Sequence, residues 1–208
     1  MTAKTSMRFT ALIAALAAAT ALSACAPLLI GGAVIGGSMV VSDRRTSGAQ
    51  VEDQGIELKV LNRVREAVGD RGHISVTSYN RLLLITGEAA TDADKAAVEQ
   101  AASRVENVRS IVNELAVMGA SSLTSRSNDT ILTSKVKASY VDAKDVFSNA
   151  VKVVTERGTV FLMGRVTERE ATRAGDIARG VSGVQKVVKV FEIVTEAELA
   201  DLQPKAVK

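Results

Sequence analysis

The sequence has no Trp, one Cys and one His, and aromatic residues fill only 3% of its 208 positions. Each scarcity removes a class of reading. Without aromatics, the cores have to be assembled from Val, Ile, Leu and Ala, and 208 residues suffice for one medium domain or two small ones. A single Cys rules out a disulfide framework. A single His leaves little room for a metal cluster. His73 stands at a strand start with neither Cys nor carboxylate at ligand spacing, so it reads as a surface or turn residue. Ser is abundant, but no second His or further Cys completes a nucleophile–base pair. Gly31-Gly32 and Gly36-Gly37 lack the Gly-Lys-Ser/Thr ending of a phosphate loop. A formal net charge of only +3 does not fit a nucleic-acid partner. The expectation is a protein that is not an enzyme and holds no cofactor and no metal.

What the chain does have begins at its N-terminus. Lys4 and Arg8 form a positive region, followed by an apolar run over residues 9–22 that is too short to span a bilayer as a helix. That run ends in Leu22-Ser23-Ala24-Cys25, which resembles the bacterial lipobox, where a peptidase cuts before a lipid-modified Cys. The chain's one Cys occupies the position a lipobox needs. Cys25 is therefore the expected lipidation site, and residues 1–24 are the expected lipoprotein signal peptide. Ala26 follows rather than Asp, which in enteric-type lipoproteins goes with export to the outer membrane. Several acyl chains on one Cys anchor stably, since each buried methylene contributes about 0.8 kcal/mol. Residues 25–51 then comprise the lipidated N-terminus, an apolar Gly-rich tether over 26–41 containing Gly32-x-x-x-Gly36, and a polar linker. Arg44 and Arg45 in that linker are placed to sit among anionic head groups.

The remainder is written twice. At a shift of 76 residues, Asp53 meets Asp129, Lys59 meets Lys135 and Val60 meets Val136. After one insertion, Ile74 meets Val151 and Gly87 meets Gly164, and after one deletion Thr91 meets Thr167 and Val105 meets Val181. Each copy opens with apolar residues at helical spacing, over roughly 53–68 and 129–141. Two strand-like runs follow, turning at Asn80-Arg81 in the first copy and Arg157-Gly158 in the second, a hairpin signal. Gly87 and Gly164 are expected to close the second strand. A second helix opens at Thr91-x-x-Asp94 and at Thr167-x-x-Glu170, the latter a capping box, and a third strand ends the unit. The order α-β-β-α-β predicts an α+β fold with two helices on one face of a three-stranded sheet.

This grammar resembles the BON domain of bacterial envelope proteins. Both copies carry its marks: an Asp-led first helix, a strand ending in Gly, and the Val-x-x-Val turn at Val105–Val108 and Val181–Val184. The second copy, over residues 128–138, 151–171 and 176–187, is similar to the dual BON-domain outer-membrane lipoproteins. The resemblance divides the chain into a signal peptide (1–24), the anchored tether and linker (25–51), BON domain 1 (52–118), a linker (119–128), BON domain 2 (129–196) and a tail (197–208). It implies a non-enzymatic protein anchored in the outer membrane and facing the periplasm. It further implies a contribution to envelope integrity, enrichment at division sites, and binding of anionic phospholipid, such as phosphatidylglycerol or cardiolipin, through the first helix of domain 2.

Charge tests that implication independently. Residues 52–118 hold 8 Lys/Arg against 11 Asp/Glu, a net of −3, while residues 129–194 hold 11 against 8, a net of +3. Lys135, Lys137 and Lys144 cluster in or just after the first helix of copy two. Each basic residue at an anionic surface adds about 1 kcal/mol. The expected phospholipid-binding set is Ile131, Lys135, Lys137, Tyr140 and Lys144, although the i, i+4, i+8 spacing of Leu132, Val136 and Tyr140 also fits a core stripe. An alternative function is a periplasmic interaction module whose acidic first copy recruits an envelope-assembly or division protein.

Overall fold

The computed structural model of the chain describes residues 43–143 and 148–202. Cys25, the signal peptide, the tether and Lys144 lie outside the described residues. Two copies of one α-β-β-α-β unit make up the described chain. In the first, α1 spans Ser47–Val68, β1 Gly72–Tyr79, β2 Leu82–Ala89 and α2 Asp92–Ser103. The closing strand is split into β3, Ser110–Asn113, and β4, Ala116–Val117. In the second, α3 spans Leu123–Ala143, β5 Lys152–Glu156, β6 Thr159–Val166, α4 Glu168–Gly180 and β7 Lys186–Ile193. A short helix, α5 (Glu196–Leu202), occupies the expected tail and buries Leu199.

The helical spacing lands where the physics requires. Ile56, Val60, Val64 and Val68 form the buried stripe of α1, and Leu132, Val136 and Tyr140 that of α3. Both first helices start earlier than their apolar pattern. Thr46 caps α1 by accepting from the Ala49 N–H. The start of α3 converts half of the expected Ser-rich linker into helix. Ser122 Oγ accepts from the Ser125 N–H, and Ser127, Thr130, Ser134 and Ser139 each fold their hydroxyl back onto the carbonyl four residues earlier. Composition marks such a stretch as loop, yet hydroxyls satisfied in this way are compatible with a helix.

Each hairpin turns through two residues of positive φ, Asn80 (49°) and Arg81 (68°) in copy one and Arg157 (51°) and Gly158 (72°) in copy two. This matches the twist of the flanking strands. β1 and β5 are antiparallel to β2 and β6, whereas β3, β4 and β7 run parallel to the same central strands. Gly87 and Gly164 do not close the second strand: β2 and β6 each continue two residues beyond them. At Gly87, with φ 107°, a Cβ would run into the His73 carbonyl oxygen of the neighbouring strand, so the Gly permits close approach within the sheet. The split in the last strand of copy one also has a local cause. Asn113 Oδ1 accepts from the Leu115 N–H, which kinks the strand and turns Leu115 into the core.

Three apolar clusters result. Copy one packs its helices on β1–β3 around Val60, Leu83, Ile85 and Val98, and copy two does the same around Val136, Tyr140, Val160 and Leu162. The third cluster joins Tyr79 and Leu84 of copy one to Phe161, Met163 and Val190 of copy two. Because side chains alternate along a strand, Leu83 and Ile85 face their own helices while Leu82 and Leu84 face the other copy. The two sheets therefore pack through their helix-free faces, which explains why β2 opens on an uninterrupted apolar run, Leu82–Ile85, rather than an alternating one.

Candidate functional site

α3 exposes one face to solvent, and its composition is specific. Ile131 is 55% exposed and Val141 64%, with Leu123 further out at the helix start. At about 100° per residue, Val141, Ala138 and Ile131 fall along the middle of that face, with Lys137 on one flank and Lys135 on the other. Both lysines are exposed, and among the described residues neither has an ion-pair partner. The result is a largely apolar strip, interrupted by the exposed Ser134 and Asp142 and bordered by cations. Open grooves run along both borders. One, of about 530 Å³, joins Ile131 and Lys135 to Asn128, Arg157, Ser182 and Gln185. The other, of about 260 Å³, joins Lys137 and Val141 to Arg45, Tyr79 and Lys152.

Four of the five expected residues lie in the described structure, and three of them share this face. Tyr140 does not. It is fully buried, and its hydroxyl donates to the Ala174 carbonyl of α4 at 3.1 Å. Burial pushes the phenol well above its ordinary pKa, so it remains a neutral donor. Tyr140 belongs to the core, and Lys144 lies outside the described residues.

The arginines of the expected polar linker are also placed differently. Arg44 forms a two-pronged ion pair with Glu170 at 2.7 and 2.8 Å and donates to the Arg165 carbonyl. Arg45 pairs with Asp43 and Asp53 and stacks over the Tyr79 ring, 4.2 Å from its centroid. Both guanidiniums are largely buried, hence committed to the protein rather than to head groups.

Missed in the sequence was the part played by the Asp that leads each first helix. Asp53 is buried and accepts from Ser78 Oγ (2.6 Å) and from the backbone N–H groups of Asn80 and Arg81 (both 2.8 Å). Asp129 accepts from the Arg157 and Gly158 N–H groups at 2.8 and 2.9 Å. Each carboxylate thus fastens its helix to the hairpin turn. Burial alone would raise the Asp53 pKa, but the bonds from Ser78, Arg81 and Arg45 outweigh it and hold the carboxyl below the ordinary aspartate value. The repeat aligned these two residues, which was the available signal. Their targets lie some 28 residues downstream and carry no side-chain signature.

Comparison with known proteins places this arrangement. The BON domain family model matches residues 52–119 and 128–195. The chain is 38% identical over 174 residues to "Outer membrane lipoprotein DolP" of Haemophilus influenzae, covering 82% of this chain and 89% of that one. It is 33% identical to a "21 kDa hemolysin" of Actinobacillus pleuropneumoniae, covering 73% and 79%. It is 31% identical to "Osmotically-inducible protein Y" of Escherichia coli, covering 73% and 77%. None of these names states an enzymatic activity. No helix among the described residues is long and apolar enough to cross a membrane.

Proposed function

The chain belongs to the BON-domain family, and from that premise we propose that it is a lipid-anchored outer-membrane protein whose second domain docks on anionic phospholipid. The observation that carries this reading is the exposed face of α3, where Ile131, Ala138 and Val141 are bordered by Lys135 and Lys137, which have no ion-pair partner among the described residues. Apolar side chains between lysines suit a helix lying along an interface, with its carbons among acyl chains and its ammonium groups at phosphates. Arg157 and Lys152, in the flanking grooves, extend the positive charge on either side. The relative named as an outer-membrane lipoprotein and the lipobox ending at Cys25 support anchoring in that membrane, facing the periplasm. The anchor supplies residence and the helix supplies lipid discrimination, two weak contacts that reinforce one another through effective concentration. A non-enzymatic part in keeping the envelope intact, at division sites among others, follows from the same resemblance.

The test is vesicle sedimentation with soluble protein that lacks Cys25 and the residues before it. It should pellet with phosphatidylglycerol or cardiolipin vesicles and stay in solution with phosphatidylcholine. Lys135→Glu combined with Lys137→Glu should abolish pelleting while leaving the circular dichroism unchanged. Binding that persists in the double variant rejects the assignment.

A second reading rests on α1, the helix that leads into the acidic copy, which exposes Val51 (69%) and Leu58 (65%), seven residues apart and so on one side. It makes this helix the seat of an envelope protein partner. Val51→Asp with Leu58→Asp would then remove a cross-linked partner without altering vesicle pelleting.

A further inference from the structure

One group of side chains takes no part in either docking face. His73 and Glu88 are directly opposite one another in the β1–β2 ladder. On β2, Glu88 continues the row Leu82, Leu84, Thr86 that faces the other copy, and Glu156 at the end of β5 meets it from the second domain. One ligand-capable atom of each of these three residues lies within 4.8 Å of the others. Glu88 is completely buried. Its Oε2 accepts from the Ser121 N–H at 3.0 Å, but its Oε1 receives no hydrogen bond, and neither does the buried Nδ1 of His73. Buried polar atoms without a hydrogen-bond partner are costly, roughly 1–3 kcal/mol each, and two on directly opposite residues require an explanation. Arg157 makes an ion pair with Glu88 Oε1 at 3.5 Å, from a side chain that is 42% exposed and that a bound metal would have to displace.

We propose that His73, Glu88 and Glu156 form a divalent-cation site of the Zn²⁺ class, spanning the two BON domains. One imidazole and two carboxylates with an open fourth position are a donor set that Zn²⁺ accepts. Ligand atoms around tetrahedral Zn²⁺ sit about 3.3 Å apart, so the three side chains close by roughly an ångström on binding. A cavity of about 190 Å³, lined by His73, Glu156, Asp129, three threonines and the guanidinium-bearing Arg126, gives access from solvent. Because two ligands come from copy one and one from copy two, the ion couples the domains at the rim of their shared interface.

The test uses the full chain in detergent, extracted with chelator and titrated with Zn²⁺ while melting temperature and calorimetric heat are followed. Zn²⁺ should bind at one equivalent and raise the melting temperature by several degrees. His73→Ala and Glu156→Gln should each weaken binding at least tenfold without lowering the metal-free melting temperature. His73 is the chain's single His, so its imidazole NMR signals need no assignment and should shift on saturation. Absence of saturable binding, or binding undiminished in both variants, overturns the site. So does an equal response to Mg²⁺, which prefers oxygen ligands alone. If a variant unfolds without metal, the imidazole shift of the unaltered chain decides alone.

Discussion

Among single residues, the buried aspartates carry the sharpest expectations. Asp53→Ala removes the acceptor for three hairpin donors and leaves Arg45 paired with Asp43 alone. Breaking a buried ionic network of this kind costs about 3–5 kcal/mol, which urea denaturation would register. The pH dependence has a definite sign. The folded-state pKa of Asp53 is depressed below the ordinary 3.8, so its contribution is complete above about 4 and disappears as pH falls through the folded value. Asp53→Asn should flatten that acid limb of the stability profile. Gly87→Ala should cost about 2–4 kcal/mol, because the added carbon meets the His73 carbonyl and φ is positive. Residue identity made Gly87 conspicuous in the sequence, but as a strand end. Its actual neighbour belongs to the other strand of the hairpin, and only the pairing register reveals it.

At the level of elements, α3 separates a core face from an exposed face proposed to dock on lipid, and the two should respond differently to mutation. Tyr140→Phe deletes the bond to Ala174 and should lower stability by about 1 kcal/mol while leaving vesicle pelleting intact. Ile131→Ser with Val141→Ser should do the reverse, weakening pelleting with no loss of melting temperature, since both side chains are exposed. Element type and order within each α-β-β-α-β unit were legible from period and turn chemistry, whereas α5 and the split of copy one's last strand were not. Copy two's capping box appears as expected, with Thr167 Oγ1 and Glu170 satisfying each other's backbone N–H groups. Helix starts were less legible. Serines that cap α3 or fold back onto its carbonyls have the composition of a loop, and only the hydrogen-bonding partner distinguishes the two. Within the candidate site, Lys135, Lys137 and Ile131 could be assigned to the surface because they fall off the apolar stripe, and Tyr140 falls on it.

Considered whole, the molecule is two frames joined by a third core. That core had a trace in the sequence, the unbroken Leu82–Ile85 run, which needs cover on both sides. The run could not name its cover, because the surface that supplies it lies some 80 residues away in a copy of its own pattern. Phe161→Ser should weaken this interface without touching either helix-packed core. In scanning calorimetry, a single cooperative transition should then split into two. The ion pairs around the rim, Arg44 with Glu170 and Arg109 with Glu192, make the association specific in register rather than merely adhesive. Synthesis proceeds from the N-terminus, so the first frame is finished while its covering surface is still unmade. For that interval Tyr79, Leu82, Leu84 and Val112 stand bare on an open sheet, the kind of surface that chaperones hold and that aggregates when nothing holds it. The duplication that gives this protein its second, charged helix therefore also gives every nascent chain a vulnerable age, which ends only when β6 and β7 have emerged to lie against the waiting sheet.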